Sequence, residues 1–278
     1  MFSITGFWLL VITLSMVVGV CFAHPYIKKI TNLYWFWLII GILLLIWQLK
    51  YRFLQDFSEL MDKIKNKDYL DSRIFSKGLL LDLCPFCSFT LAIALIIDPS
   101  RKIASIISYF GIFGGLITYL GGFTQIENDP TVDASWNPEW LFKGFSPNPM
   151  YFAIHFIQLF FCPWVLINKK SHISKDYLGA FLFITSYFSY VIIMVNIYGV
   201  TMNATGLVPF DWEYGEYANV ASILHLSFPM VCIVGFLGVT IFILLMVFIF
   251  NIIQIKCEKY NNTFSLKEFF IPNFKKYN

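Results

Sequence analysis

The stretch from Ala221 to Ile255 runs 35 residues without an Asp, Glu, Lys or Arg. As a helix rising about 1.5 Å per residue, it outruns a bilayer core about 30 Å thick. Six further apolar stretches of comparable character precede it, over about residues 5–23, 33–49, 78–97, 103–122, 150–167 and 177–200. Only 13% of the chain is charged, against about 25% in a soluble domain. These features predict an all-α fold: a polytopic membrane helix bundle of about seven transmembrane helices, forming one domain over residues 1–278. The first stretch lacks the basic start and small-residue cleavage site of a secretory signal and is read as a span.

The connections carry their own information. Residues 50–77 hold seven basic and five acidic side chains, and the segment "FLQDFSELMDKI" is amphipathic, as expected for a helix lying on a membrane surface. The segments 123–149 and 201–219 are polar and aromatic, and the "GLVPFDWEYGEY" of the second suits headgroup depth. Seven spans put the termini on opposite sides. Lys28, Lys29, Arg101, Lys102, Lys169, Lys170, Lys175 and five C-terminal lysines then share one side, making twelve basic residues there against eight on the other. The excess of Lys and Arg predicts a multi-pass protein of the cell membrane with a cytoplasmic C-terminus. The basic residues form no stripe, so no nucleic-acid partner is expected. The six cysteines at 21, 84, 87, 162, 232 and 257 are scattered, mostly through apolar runs, and outline no disulfide framework. Four dispersed histidines give no metal-ligand spacing. No metal or other cofactor is implied.

Topology places certain polar residues at one depth. Cys84 and His155 each lie about six residues, or about 9 Å, inside spans that start from the same side. Asn196 lies one turn before the sixth span ends there, Asn203 follows just after, and His225 lies in the first turns of the seventh span. Asp82 precedes Cys84 by two residues. Gly111, Gly115, Thr118 and Gly122 line one face of the fourth span in the small-xxx-small pattern that lets helices approach closely. Cys84 and Ser88 share a face of the third, and Pro85 suits a first helical turn.

Each of these residues has a plain reading beside a chemical one. A free cysteine is usually a small packed hydrophobe. It becomes a nucleophile with a base in reach, and His155 is the candidate base. Cys84 and Cys87 have the C-P-x-C spacing of a redox pair, although no second pair waits in a loop to relay electrons. Asp82 suits a helix start, where a carboxylate favours the positive dipole end. Asn196 suits an interhelical contact.

Four stretches together resemble one family. "LLLDLCPFCSFTLAIALI" resembles the L-P-L-H-L-C span of the YwaF-type integral membrane proteins, the bacterial relatives of the transmembrane protein 164 acyltransferases. "YFGIFGGLITYLGG" resembles that family's W-G-x-x-G-G helix, "MYFAIHFIQLFF" its F-x-x-F-x-x-H helix, and "VNIYGVTMNATG" its asparagine-bearing N-Y segment. The order holds over about residues 70–250. The resemblance implies a helical membrane fold and, by way of the family's animal branch, acyl transfer between phospholipids through a cysteine. By position that cysteine is Cys84 and the helix histidine is His155. Asn196 and Asn203 fall in the asparagine segment. The family's histidine two residues before the cysteine is Asp82 here, and its proline is Leu80.

The expectation is an acyltransferase-like membrane protein with Cys84 and His155 as catalytic residues and membrane lipids as partners. Asp82, Asn196, Asn203 and His225 are expected to contact substrate. Two alternatives stay open: a non-enzymatic solute or lipid binder or transporter, and a thiol–disulfide oxidoreductase using Cys84 and Cys87.

Overall fold

The computed structural model describes residues 26–50, 61–63, 65–66, 78–128, 150–168, 173–199, 207–213 and 218–259, with isolated positions at 11, 15, 18, 19 and 23. Every regular element among the described residues is helical, so the fold is all-α. The bounded helices are α1 (Tyr34–Gln48), α2 (Leu83–Ile97), α3 (Lys102–Asn128), α4 (Met150–Ile167), α5 (Ile173–Tyr198), α6 (Pro209–Glu213), α7 (Ala218–Leu224) and α8 (Met230–Lys259). The expected span at 5–23, the connector at 50–77 and the segment at 123–149 lie largely outside the described residues.

Helix α3 is the hub, packed by α2, α4, α5 and α8, and α1 pairs with α2. Glycine sets the separations. At Gly41 of α1 a Cβ would lie 2.9 Å from the Ala92 carbonyl of α2, so only the missing side chain lets the two backbones approach. On α3, Gly111 and Gly115 face Cys162 and Leu159 of α4. This is the seam that the glycine spacing predicts.

Polar contacts tie one end of the bundle together. Arg101, between α2 and α3, donates from Nη1 to the Thr31 carbonyl at 2.7 Å. The Thr31 hydroxyl donates to Asn168 Oδ1, at the end of α4, at 3.0 Å. Tyr34, at the start of α1, donates to the Ile96 carbonyl near the end of α2. Consecutive helices from α1 to α5 therefore run in alternating directions, with the starts of α2 and α4 and the end of α5 together at the far end. Deeper from the tied end, Tyr109 of α3 donates to Asp176 Oδ2 of α5 at 3.1 Å, and Asn251 of α8 donates to the same oxygen at 3.3 Å. These buried groups pin three helices at one point.

Asp98 organises the turn into α3. Its Oδ1 accepts from the Ser100 amide and hydroxyl, and Oδ2 accepts from the Ile103 amide at 2.8 Å. Burial pushes its carboxyl upward, but the bonds from the Ser100 hydroxyl and the Ile103 and Ser100 amides together hold it below the usual range. A folded value below the unfolded one gives stability that is present above about pH 4 and lost as pH falls through the folded value. Asp98→Ala is expected to cost about 1 kcal/mol near neutral pH. The gap in melting temperature between the variant and the parent protein should close as pH drops below about 4. A gap that does not change with pH would contradict the assignment.

Two boundaries differ from the sequence expectation. The third span was expected from Gly78, but α2 begins at Leu83, because Asp82 is extended (φ −79°, ψ 139°) and Leu80 is left-handed (φ 54°). The seventh was expected as one helix from Ala221. Instead α7 stops at Leu224, His225 turns left-handed (φ 51°), and α8 starts at Met230. Pro229 has no N–H for a continuing helix, while its carbonyl accepts from Cys232 at 3.0 Å and so opens α8.

Among the described residues, two helices are long and apolar enough to cross a membrane: Ser174–Tyr198, with 25 residues, and Met230–Ile253, with 24. Shorter apolar helices cover Tyr34–Gln48, Leu83–Ile97, Lys102–Leu116 and Ile157–Ile167. The outward faces of α1, α5 and α8 are apolar, with Trp35, Ile39, Leu43, Phe181, Ile193, Leu237 and Ile241 among their exposed side chains. Buried polar groups instead include Ser88, Ser105, Ser108, Gln158 and Asn251.

Candidate functional site

The site lies where α2 and α4 begin. Tyr187 and Tyr190 of α5 reach across to the turn ahead of α2. The Tyr187 hydroxyl donates to the Leu81 carbonyl at 2.6 Å, and the Tyr190 hydroxyl donates to the Leu79 carbonyl. The ring of Phe86 packs on both tyrosines. This clamp fixes the point at which α2 starts. Tyr187→Phe is expected to leave the Leu81 oxygen buried without a donor, costing about 1–3 kcal/mol. Thermal unfolding in detergent measures it, and an unchanged melting temperature would contradict the clamp.

With the start fixed, Cys84 is the second residue of α2 and half-buried, and Pro85 is the third, where few intrahelical bonds need an N–H. Ser88 follows one turn after Cys84 on the same face and is buried. From the opposite side, α4 presents His155, Gln158 and Cys162, all buried, at the spacing of one helix face. Between them runs the glycine seam of α3. A Cβ on Gly114 would lie 2.5 Å from Cys84 Sγ and 3.8 Å from Gln158 Oε1. One on Gly115 would lie 3.2 Å from the His155 carbonyl. The starts of α2 and α4 therefore meet adjacent residues of α3, which brings Cys84 and His155 to one locality.

Gln158 bridges the two helices. Its Nε2 donates to the Cys84 carbonyl and to the Ser88 hydroxyl, both at 2.7 Å. Sequence reasoning missed this residue. Its signal was present: a second polar side chain three positions after His155, in a helix otherwise apolar around it. Gly114, which carries the closest approach to the thiol, was likewise absent from the expected glycine face.

The other expected site residues are placed as follows. Asp82 is half-buried and caps the start of α2 by its backbone, with no side-chain bond to the helix amides. Asn196 is exposed and donates to the Ile192 carbonyl of its own helix at 2.7 Å. Tyr187, Tyr190, Met194 and Tyr198 occupy the face of α5 turned to α2, and Asn196 falls outside that stripe because a helix turns about 100° per residue. The expectation that it joins the Cys84 group is corrected accordingly. His225 is also corrected: it is exposed in the turn before α8, five residues ahead of the helix, and outside any helical turn of it. Asn203 lies outside the described residues. Cys84 and Cys87 are not joined in a disulfide, and Cys87 is buried in the apolar core on another face of α2.

A family model matches residues 9–276 of the chain, and its description is "Family of unknown function (DUF5378)". The chain is 31% identical over 277 residues to "Uncharacterized protein MG135" of Mycoplasma genitalium, and the match covers 95% of each chain. It is 34% identical over 162 residues to "Uncharacterized protein MG135 homolog" of Mycoplasma pneumoniae, covering 57% of this chain and 54% of that protein. No solved structure gives a significant match. With nearly its whole length matched by the family model, the chain belongs to the DUF5378 family.

Proposed function

We propose that the protein is a multi-pass membrane protein of about seven spans that transfers a fatty acyl group between phospholipids through Cys84. The observation that carries this reading is the seating of the Cys84 thiol against Gly114, half-buried in the first turn of α2, beside the buried His155–Gln158 face of α4. The four motifs that resemble the YwaF-type proteins and the transmembrane protein 164 acyltransferases support it. So do the apolar outer faces of α1, α5 and α8, which suit contact with lipid chains. The alternating helices and the basic residues near the Thr31–Arg101 end support a cytoplasmic C-terminus.

In this mechanism His155 takes the thiol proton as the sulfur attacks a phospholipid ester carbonyl. The ester C–O bond breaks, the departing alkoxide takes the proton from His155, and a lysophospholipid leaves. Cys84 now holds the acyl chain as a thioester. An acceptor hydroxyl then gives its proton to His155 and attacks the thioester. The C–S bond breaks, and the thiolate recovers the proton. Asp82, at the outer end of α2, contacts the headgroup. With α2 beginning at Leu83 and not at Gly78, Cys84 lies in the first turn and not about 9 Å inside, a shallow position that suits the ester linkages near the headgroups, so the substrate need not leave the bilayer.

The test is acyl exchange in proteoliposomes containing phosphatidylcholine with a labelled acyl chain and an unlabelled lysophospholipid. Protein-dependent appearance of label in the second lipid is the expected result. Label that stays in the donor would reject the proposal and favour a binder or transporter.

A further inference from the structure

Gln158 has one atom that the fold leaves unsatisfied. The residue is 0% exposed. Its amide orientation is fixed by chemistry, because the Cys84 carbonyl can only accept and therefore faces Nε2. Nε2 also serves Ser88. Oε1 is thereby turned to the other side, where it is buried with no hydrogen-bond partner. Such an oxygen costs about 1–3 kcal/mol when it stays bare. It lies 3.8 Å from the point a Gly114 Cβ would occupy, and Cys84 Sγ lies 2.5 Å from that same point. The missing side chain of Gly114 lets the thiol close on α3 on the side where the open acceptor lies.

We infer that Gln158 Oε1 is the docking point for a free hydroxyl of the second substrate, which makes that substrate a lipid alcohol, recognised by its hydroxyl whatever its headgroup carries. The inference rests on the reading of Cys84 as the nucleophile, and it names what that site receives. A bare amide oxygen accepts one O–H well. It is a poor partner for an ammonium group, whose desolvation in the membrane costs about 2.5 kcal/mol or more. A fully esterified lipid brings no donor at all. A hydroxyl held on Oε1 sits on the Gly114 face, beside the carbon that the thioester would present. Gln158 therefore selects the acceptor by its proton, and the selection does not depend on any headgroup charge.

Protection of the thiol tests this without requiring turnover. Purified protein in detergent is treated with N-ethylmaleimide, and alkylation of Cys84 is followed by peptide mass spectrometry. The micelles carry either 1-oleoylglycerol or its di-O-methyl ether, which share a chain and an ester but differ in hydroxyl protons. 1-Oleoylglycerol is expected to slow alkylation of Cys84 about tenfold, as one well-formed hydrogen bond allows, while the ether leaves the rate nearly unchanged. Gln158→Met, which keeps the bulk, should abolish the difference. Equal protection by both lipids, protection by neither, or a preference that survives in Gln158→Met overturns the inference and leaves Oε1 to an internal water. The comparison of the two lipids on the parent protein decides the matter if Gln158→Met does not fold. Discrimination between the lipids without any acyl adduct would support the hydroxyl site and reject the transfer chemistry alone.

Discussion

Cys84→Ser is expected to lower acyl exchange by about a thousandfold or more, because the serine hydroxyl is a far weaker nucleophile at neutral pH than the thiol it replaces. The fold should tolerate the change, since Cys84 is only half-buried and its carbonyl bond to Gln158 is a backbone bond. Cys87→Ser separates this account from redox chemistry. Cys87 sits in the apolar core, so a hydroxyl there costs about 1–3 kcal/mol of stability and should leave exchange within a few-fold of the parent. A thiol–disulfide enzyme would lose activity with either substitution. A solute binder would keep its function in Cys84→Ser, because the hydroxyl still hydrogen-bonds.

Gly114→Ala is expected to cut exchange by about a hundredfold, through the same misplacement of a reacting group that a shift of about 1 Å produces. The added Cβ would stand 2.5 Å from Cys84 Sγ, and Cys84 Cβ is 3.8 Å away. The thiol must therefore rotate or α2 must move. The stability loss should stay at about 1–3 kcal/mol, because the Sγ rotor gives way before any backbone does. Gly238→Ala is the control: nothing lies within 4 Å of its Cβ, so helix propensity alone predicts a gain of about 0.5–1 kcal/mol. Detergent melting curves and the exchange assay on both variants separate a packing loss from a loss of thiol position. Equal activity in the two would contradict the seating of Cys84.

Much of the helical framework was legible in the sequence because apolar length announces a helix directly. Tyr34–Gln48 and Met150–Ile167 fall within a residue of their expected bounds. The spacing of Gly111 and Gly115 foretold the α3–α4 seam. Three features were hidden. Asp176 falls one residue before the apolar stretch expected from 177, beside Lys175, yet α5 begins at Ile173 and buries that carboxylate against Tyr109 and Asn251. A pairing over 67 residues leaves no local trace. The break between α7 and α8 was masked because the residues around Pro229 are apolar, and hydropathy does not register a missing N–H. The role of Gln158 depends on where α2 is seated against α4, and the tyrosine clamp from α5 sets that position.

The most direct measurement is the intact mass of detergent-purified protein after incubation with phospholipid, before and after hydroxylamine. The account predicts a gain of one fatty acyl group that hydroxylamine removes and that Cys84→Ser never acquires. An unchanged mass, with Cys84 still freely alkylated in the presence of lipid, would contradict the covalent mechanism.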